Sequence, residues 1–182
     1  MPPEPPLVDR ALALAAELGF EKSSSAETGR LLHLLAAQRG RERVGEIGTG
    51  TGVGTAWMAA ALAPGVPLYT AEPEAAQARA VAALFADDPD VHVLRGSWLD
   101  VLPAYAPFDL LFYDGGGKRD PAEEAEEVVS LLAPGGTVLL DDLREHRAND
   151  PLREWWLGHP RLVGAEVAVS PDEAVLVCVR AL

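Results

Sequence analysis

Glu46-Ile47-Gly48-Thr49-Gly50-Thr51-Gly52 is the stretch from which the rest of this chain is read. Residues 43–48 ahead of it can run as a short buried strand. Residues 53–62 behind it are rich in Ala and read as a helix. Strand, glycine turn and helix in that order open an α/β nucleotide-binding unit. Glycine at alternate positions lets the backbone turn sharply and lets a ligand approach where a Cβ would clash. The N–H groups at the helix start favour an anionic group. A dinucleotide fingerprint needs glycine at the first, third and sixth positions. Counted from Gly48 the sixth is Val53, and from Gly50 it is Thr55. The spacing therefore argues against a dehydrogenase. The bland alternative is a capping turn with no ligand.

The totals bound what such a unit can do. The chain has 182 residues, enough for one domain with a sizeable core; 48% of them are hydrophobic and 24% charged, a globular composition. A net charge of −13 makes a poor generic partner for nucleic acid or an anionic membrane, which need clustered Lys and Arg. One cysteine, Cys178, excludes an intramolecular disulfide framework and a Cys-rich zinc site. The N-terminus lacks the basic start and apolar stretch of a signal peptide, and no apolar run spans a bilayer, so the expected location is cytoplasmic.

Outward from the turn, the pattern is regular. An extended Pro-rich arm precedes a helix over residues 7–18 that stops at Gly19; the two form a segment of residues 1–22, ahead of a main domain over residues 23–182. Ser24 or Ser25 caps a second helix running to about Gln38. Strands are expected at residues 68–72, 91–95, 108–114 and 136–141, and helices at residues 73–86, 121–132 and 152–158. Two last strands, residues 163–170 and 174–180, are joined by a short turn and should pair antiparallel. The fold expected is a Rossmann-like three-layer α/β sandwich, with a mostly parallel seven-stranded sheet closed by an antiparallel C-terminal hairpin.

Ligands in such sheets bind beyond the carboxyl ends of the strands. Informative residues sit there: Glu46, Gly48, Thr49, Gly50 and Gly52 after the first strand, Glu72 after the second, Ser97 and Trp98 after the third, Asp114 after the fourth, Asp141 and Asp142 after the fifth. Glu72 can accept both ribose hydroxyls of an adenosine. Ser97 can bond an adenine edge and Trp98 can lie on its face, although Trp98 as plain core is an equal reading. Asp114, Asp141 and Asp142 together repel one another unless a cation is present, and an all-oxygen set suits Mg²⁺, Mn²⁺ or Ca²⁺. The competing reading is that one or two of them cap turns.

The motif acid-x-Gly-x-Gly-x-Gly resembles motif I of the class I S-adenosylmethionine-dependent methyltransferases, in which Glu46 would help to hold the ammonium of the cofactor's methionine end. Further segments occur in order: Ser25-Ala26-Glu27-Thr28-Gly29-Arg30-Leu31-Leu32, Gly96-Ser97-Trp98-Leu99-Asp100-Val101-Leu102, Phe108-Asp109-Leu110-Leu111-Phe112-Tyr113-Asp114 and Pro134-Gly135-Gly136-Thr137-Val138-Leu139-Leu140-Asp141-Asp142. Together they resemble the catechol and caffeoyl-CoA O-methyltransferase branch, from about Ser23 to the C-terminus. The resemblance implies S-adenosylmethionine as cofactor, and a divalent metal on Asp114, Asp141 and Asp142, with Asp142 standing where the family has Asn. It also implies a lysine base three positions after Asp114. Here Gly115-Gly116-Gly117 intervene and Lys118 comes one position late; His146 is a second candidate base.

Three readings follow. The first is an O-methyltransferase in which the metal lowers the pKa of an acceptor with adjacent hydroxyls, with Asp114, Lys118 and His146 as catalytic candidates. The second is a metal-independent methyltransferase acting on N, O or a carboxylate of a small molecule. The third is a non-catalytic S-adenosylmethionine-binding module. The acceptor is not legible. Trp155-Trp156 offers at most one aromatic wall, the other ring belonging to the core. The N-terminal helix either covers the site or mediates a homodimer.

Overall fold

The computed structural model describes residues 3–115, 123–144 and 150–182, apart from the side chains of Glu123, Asp142 and Arg144. Local signals set most element ends. Helix α1 (Pro6–Leu18) has Pro at its first turn and closes on Gly19, left-handed at φ 62°, whose N–H donates to the carbonyls of Ala15 and Ala16. Helix α2 (Ala26–Ala36) is capped by Ser25, whose Oγ accepts from the Thr28 N–H at 3.2 Å. The helix expected at Pro73 starts two residues later, as α4 (Ala75–Leu84), because the Glu74 side chain takes the N-cap and accepts from Ala76 N–H.

Among the described residues the remaining elements are β1 (Val44–Ile47), α3 (Val53–Ala59), β2 (Leu68–Glu72), β3 (Val91–Arg95), the single turn α5 (Trp98–Val101) with a 3₁₀ turn after it, β4 (Phe108–Tyr113), α6 (Glu123–Ser130), β5 (Leu132–Arg144), α7 (Pro151–Gly158), β6 (Leu162–Ala168) and β7 (Glu173–Arg180). Strand β5 begins earlier than the sequence reading has it and ends later, at Arg144 instead of residue 141, because it resumes pairing with β7 after a register shift between Leu140 and Leu143. Positions 141 and 142 therefore lie within the strand and not after it. Leu132 pairs with Phe108, the register then shifts, and Thr137 pairs with Leu110. Residues 133–136 form the irregularity, and a Cβ on Gly136 would sit 2.7 Å from the Phe108 carbonyl oxygen.

The seven strands form one sheet in the order β3-β2-β1-β4-β5-β7-β6. Pairings among β1 to β5 are parallel; β7 runs antiparallel to both β5 and β6. The chain leaves β1 towards β2 and β3 on one side, then resumes on the other with β4. The carboxyl ends of β1 and β4 therefore flank the switch point, where a crevice opens.

Strand β4 shows how the two cores form. Leu110 and Phe112 point into one, with Val8, Leu32, Trp57, Met58 and Phe85 from the first four helices. Leu111 and Tyr113 point into the other, with Trp98, Leu102, Val128 and Trp156. Period-two alternation with both faces covered gives a continuous apolar run. Each such side chain contributes roughly 1.5–3 kcal/mol on burial. Helix α2 approaches α3 through Gly29: a Cβ there would fall 2.1 Å from Trp57 Nε1. Trp156 is the core ring of the α7 pair and Trp155 is only partly buried. None of the helices described is long and apolar enough to cross a membrane.

Candidate active site

The glycine turn after β1 is held by its neighbours. Gly48 and Thr49 donate their N–H groups to the Ala71 carbonyl at the end of β2. Gly48 (φ 94°) and Gly50 (φ 54°) take left-handed conformations that side chains resist. The space beside them is filled by protein. A Cβ on Gly48 would lie 2.7 Å from Gly115 Cα, beyond β4, and one on Gly50 would lie 3.1 Å from the Phe20 ring. The expectation that these glycines clear room for a ligand is thus refined: they let β4 and the α1–α2 connection close on the turn. Gly52 is the N-cap of α3 and stands outside the cavity lining, against Phe85 and Val81.

Over this turn lies an open cavity of about 1410 Å³. It collects most of the residues singled out from sequence. Glu46, Gly48, Thr49, Gly50, Glu72, Ser97, Trp98, Asp114 and Asp141 all line it. The sequence missed three contributors: the connection Phe20 to Ser25, Glu124 on α6, and Asp172 with Glu173 at the β6–β7 turn.

Glu72 is 6% exposed and firmly placed. Its Oε2 accepts from the Gly50 N–H and its Oε1 from the Glu74 N–H, both at 2.9 Å. Backbone amides on both oxygens hold the carboxyl group in one orientation.

Glu46 differs. It is 1% exposed, and its Oε2 accepts a hydrogen bond from the Thr55 hydroxyl. Its Oε1 has no hydrogen-bond partner among the described residues. Burial pushes its carboxyl up to about 7; the hydroxyls of Thr55 and Thr70 pull it down, Glu72 pushes it up, and the Thr55 amide pulls it down. The Thr70 hydroxyl is also paired with Thr49 Oγ1, at 2.5 Å. Gly54 makes room for the carboxyl: a Cβ there would fall 2.6 Å from Oε1.

Ser97 is the N-cap residue of α5, yet its hydroxyl makes no cap bond, and the residue lines the cavity. Trp98 serves the core and the cavity together; it is 9% exposed, with its ring 6.3 Å from that of Tyr113. Asp114 follows β4 and donates its N–H to the Ile47 carbonyl at 2.9 Å. Its Oδ2 accepts from Ser24 Oγ at 3.2 Å, and Asp141 Oδ1 accepts from Thr28 Oγ1 at 3.4 Å. The start of α2 and the residue before its cap thus reach Asp114 at the end of β4 and Asp141 in β5. Among the described residues no group of three or more His, Cys, Asp and Glu is gathered as a metal site. The Asp142 side chain, Lys118 and His146 lie outside the described residues.

Comparison with known proteins agrees with this geometry. A family model described as a methyltransferase domain matches residues 46–143. The catechol O-methyltransferase of Mycobacterium tuberculosis is 33% identical over 162 residues, covering 78% of this chain and 73% of that protein. The O-methyltransferase TomG of Streptomyces achromogenes, involved in tomaymycin synthesis and solved in complex with S-adenosylmethionine, superposes with a TM-score of 0.82 at 26% identity, covering 99% of this chain and 92% of that one. An O-methyltransferase of Bacillus cereus, solved with S-adenosylhomocysteine, shares the fold with a TM-score of 0.81 at 24% identity over 98% of this chain and 92% of its own. Glycine turn, strand-end acids and these similarities agree: the chain belongs to the class I S-adenosylmethionine-dependent methyltransferases, among the O-methyltransferases.

Proposed function

We propose that this chain methylates a hydroxyl oxygen of a small molecule, with the acceptor seated beside Asp114 at the end of β4 and Asp141 of β5. The observation that carries the proposal is the shared cavity: Asp114 and Asp141 open into the same space as the glycine turn, Glu46 and Glu72. Donor and acceptor then meet in one chamber, and holding them in attack geometry supplies much of the rate.

S-adenosylmethionine supplies an electrophilic methyl on a sulfonium. The residues fit it, because a buried carboxyl with one oxygen unpartnered among the described residues matches a cationic group of a ligand. In this reading Glu46 faces the ammonium, Glu72 accepts the ribose hydroxyls, Ser97 meets the adenine edge and Trp98 its face. Gly48, Thr49 and Gly50 shape the turn beneath the methionine end.

Asp114 and Asp141 offer the oxygen donors that Mg²⁺ takes, with Asp142 as the third on sequence grounds. A divalent ion held there would lower the pKa of a chelated acceptor hydroxyl. Lys118 and His146 stand as the candidate bases. The metal-independent reading also stands, since Lys118 comes one position late and Asp142 stands where the family has Asn.

Turnover of a 1,2-dihydroxyaromatic acceptor with S-adenosylmethionine and Mg²⁺, repeated with EDTA and with Asp141→Ala, separates these readings. The metal-assisted reading expects turnover to vanish in both repeats while S-adenosylhomocysteine still binds. Full turnover with EDTA leaves the metal-independent reading. No transfer to any hydroxyl acceptor in a broad panel contradicts the proposal.

A further inference from the structure

The Glu46 carboxyl sits at the end of β1, 1% exposed, in the lining of the cavity. Thr55 Oγ1 donates to one oxygen and nothing described donates to the other. The groups facing it come from every element packed around it. Helix α3 brings Thr55 and Gly54, whose missing Cβ leaves the room that Oε1 occupies. Strand β2 brings Thr70, whose hydroxyl is paired with Thr49 of the turn, and the carboxylate of Glu72; β4 brings the apolar ring of Phe112. The one charge acting on it is therefore of its own sign, and no cation compensates it among the described residues. A carboxylate so buried is costly unless a positive group arrives.

We propose that Glu46 is protonated in the ligand-free protein and surrenders its proton when the ammonium of the cofactor's amino-acid end arrives, making Glu46 the residue that distinguishes ligands carrying that ammonium from those lacking it. This rests on the cofactor reading above. The balance is simple: the Glu46 O–H bond breaks, buffer takes the proton, and the carboxylate pairs with an ammonium that was charged throughout. The position of its titration, raised to about 7 by burial, puts the event in an accessible range. The sign follows. Below that value binding must expel a proton, so affinity rises nearly tenfold per pH unit; above it the carboxylate is already formed and affinity levels off.

Calorimetric titration of S-adenosylhomocysteine in two buffers of different ionisation enthalpy counts the protons exchanged. About 0.9 proton released per site is expected at pH 6, and about half a proton at pH 7. In the same unaltered protein, 5′-methylthioadenosine, which lacks the amino-acid end, should bind with no proton release. Glu46→Gln should bind S-adenosylhomocysteine more weakly, with no release at pH 6. Identical apparent enthalpies in the two buffers at pH 6, or equal release with 5′-methylthioadenosine, would overturn the inference while leaving the cofactor reading intact. Continued release from Glu46→Gln would move the proton to another group and overturn it likewise. No binding of either ligand would overturn the cofactor reading and this inference with it.

Discussion

On the β1–β2 side of the cavity, Glu72 is clamped by two backbone amides at 2.9 Å, and Glu46 is sealed against α3. On the β4–β5 side, Asp114 and Asp141 accept longer hydroxyl bonds, at 3.2 and 3.4 Å, from Ser24 and Thr28 around the start of α2. The first side is built from backbone near in sequence, and its geometry is set once the sheet forms. The second depends on side chains about a hundred residues away in the chain. A pre-organised half suits a ligand common to a whole family. An adjustable half suits an acceptor that differs from one member to the next.

Breaking the first half should have the largest effect. Gly48→Val forces a side chain into a left-handed position 2.7 Å from the Gly115 backbone. A loss of about 3 kcal/mol or more in stability is expected, with loss of S-adenosylhomocysteine binding, as read by thermal unfolding and calorimetry.

Glu46→Gln comes next, and its effect has a sign. A carboxyl titrating near 7 when folded and near 4.5 when unfolded favours the folded state fully below pH 4.5, and that advantage disappears as pH rises to 7. The ligand-free variant lacks this slope. Its unfolding temperature should match the wild type near pH 4 and exceed it at pH 8, by the equivalent of about 3 kcal/mol. A variant no more stable than wild type at pH 8 would mean the carboxyl is not buried uncompensated.

Glu72→Ala should cost roughly 2 kcal/mol in S-adenosylhomocysteine affinity, about thirtyfold, by removing a charged acceptor and releasing the Gly50 amide. In the second half, Ser24→Ala and Thr28→Ala should each change stability by about 1 kcal/mol or less. They should leave cofactor affinity within about threefold and alter the KM of the acceptor instead. If Ser24→Ala weakened the cofactor as much as Glu72→Ala, the division into two halves would fail.

This division also explains what could be read in advance. The glycine turn, the Ser25 cap and the acids at strand ends are local signals, carried by residues whose types suit those backbone positions. Pairing of Leu132 with Phe108 is non-local, so β5 came out longer than its apolar run. Phe20 against Gly50 and Asp172 with Glu173 at the cavity follow from how distant segments pack, for which no short motif exists. The protonation of Glu46 depends on burial by α3 and β4, which the motif alone does not report. The candidate bases Lys118 and His146 come from the two connections outside the described residues.

The central claim is that the β1–β2 half binds the cofactor by itself. Titration of S-adenosylhomocysteine into the protein with Mg²⁺, and again with EDTA, tests it most directly. The account predicts saturable binding at one site, with affinities within about twofold of each other, because Glu46, Glu72 and the glycine turn require no metal. Absence of binding under both conditions, or binding only with Mg²⁺, would contradict it.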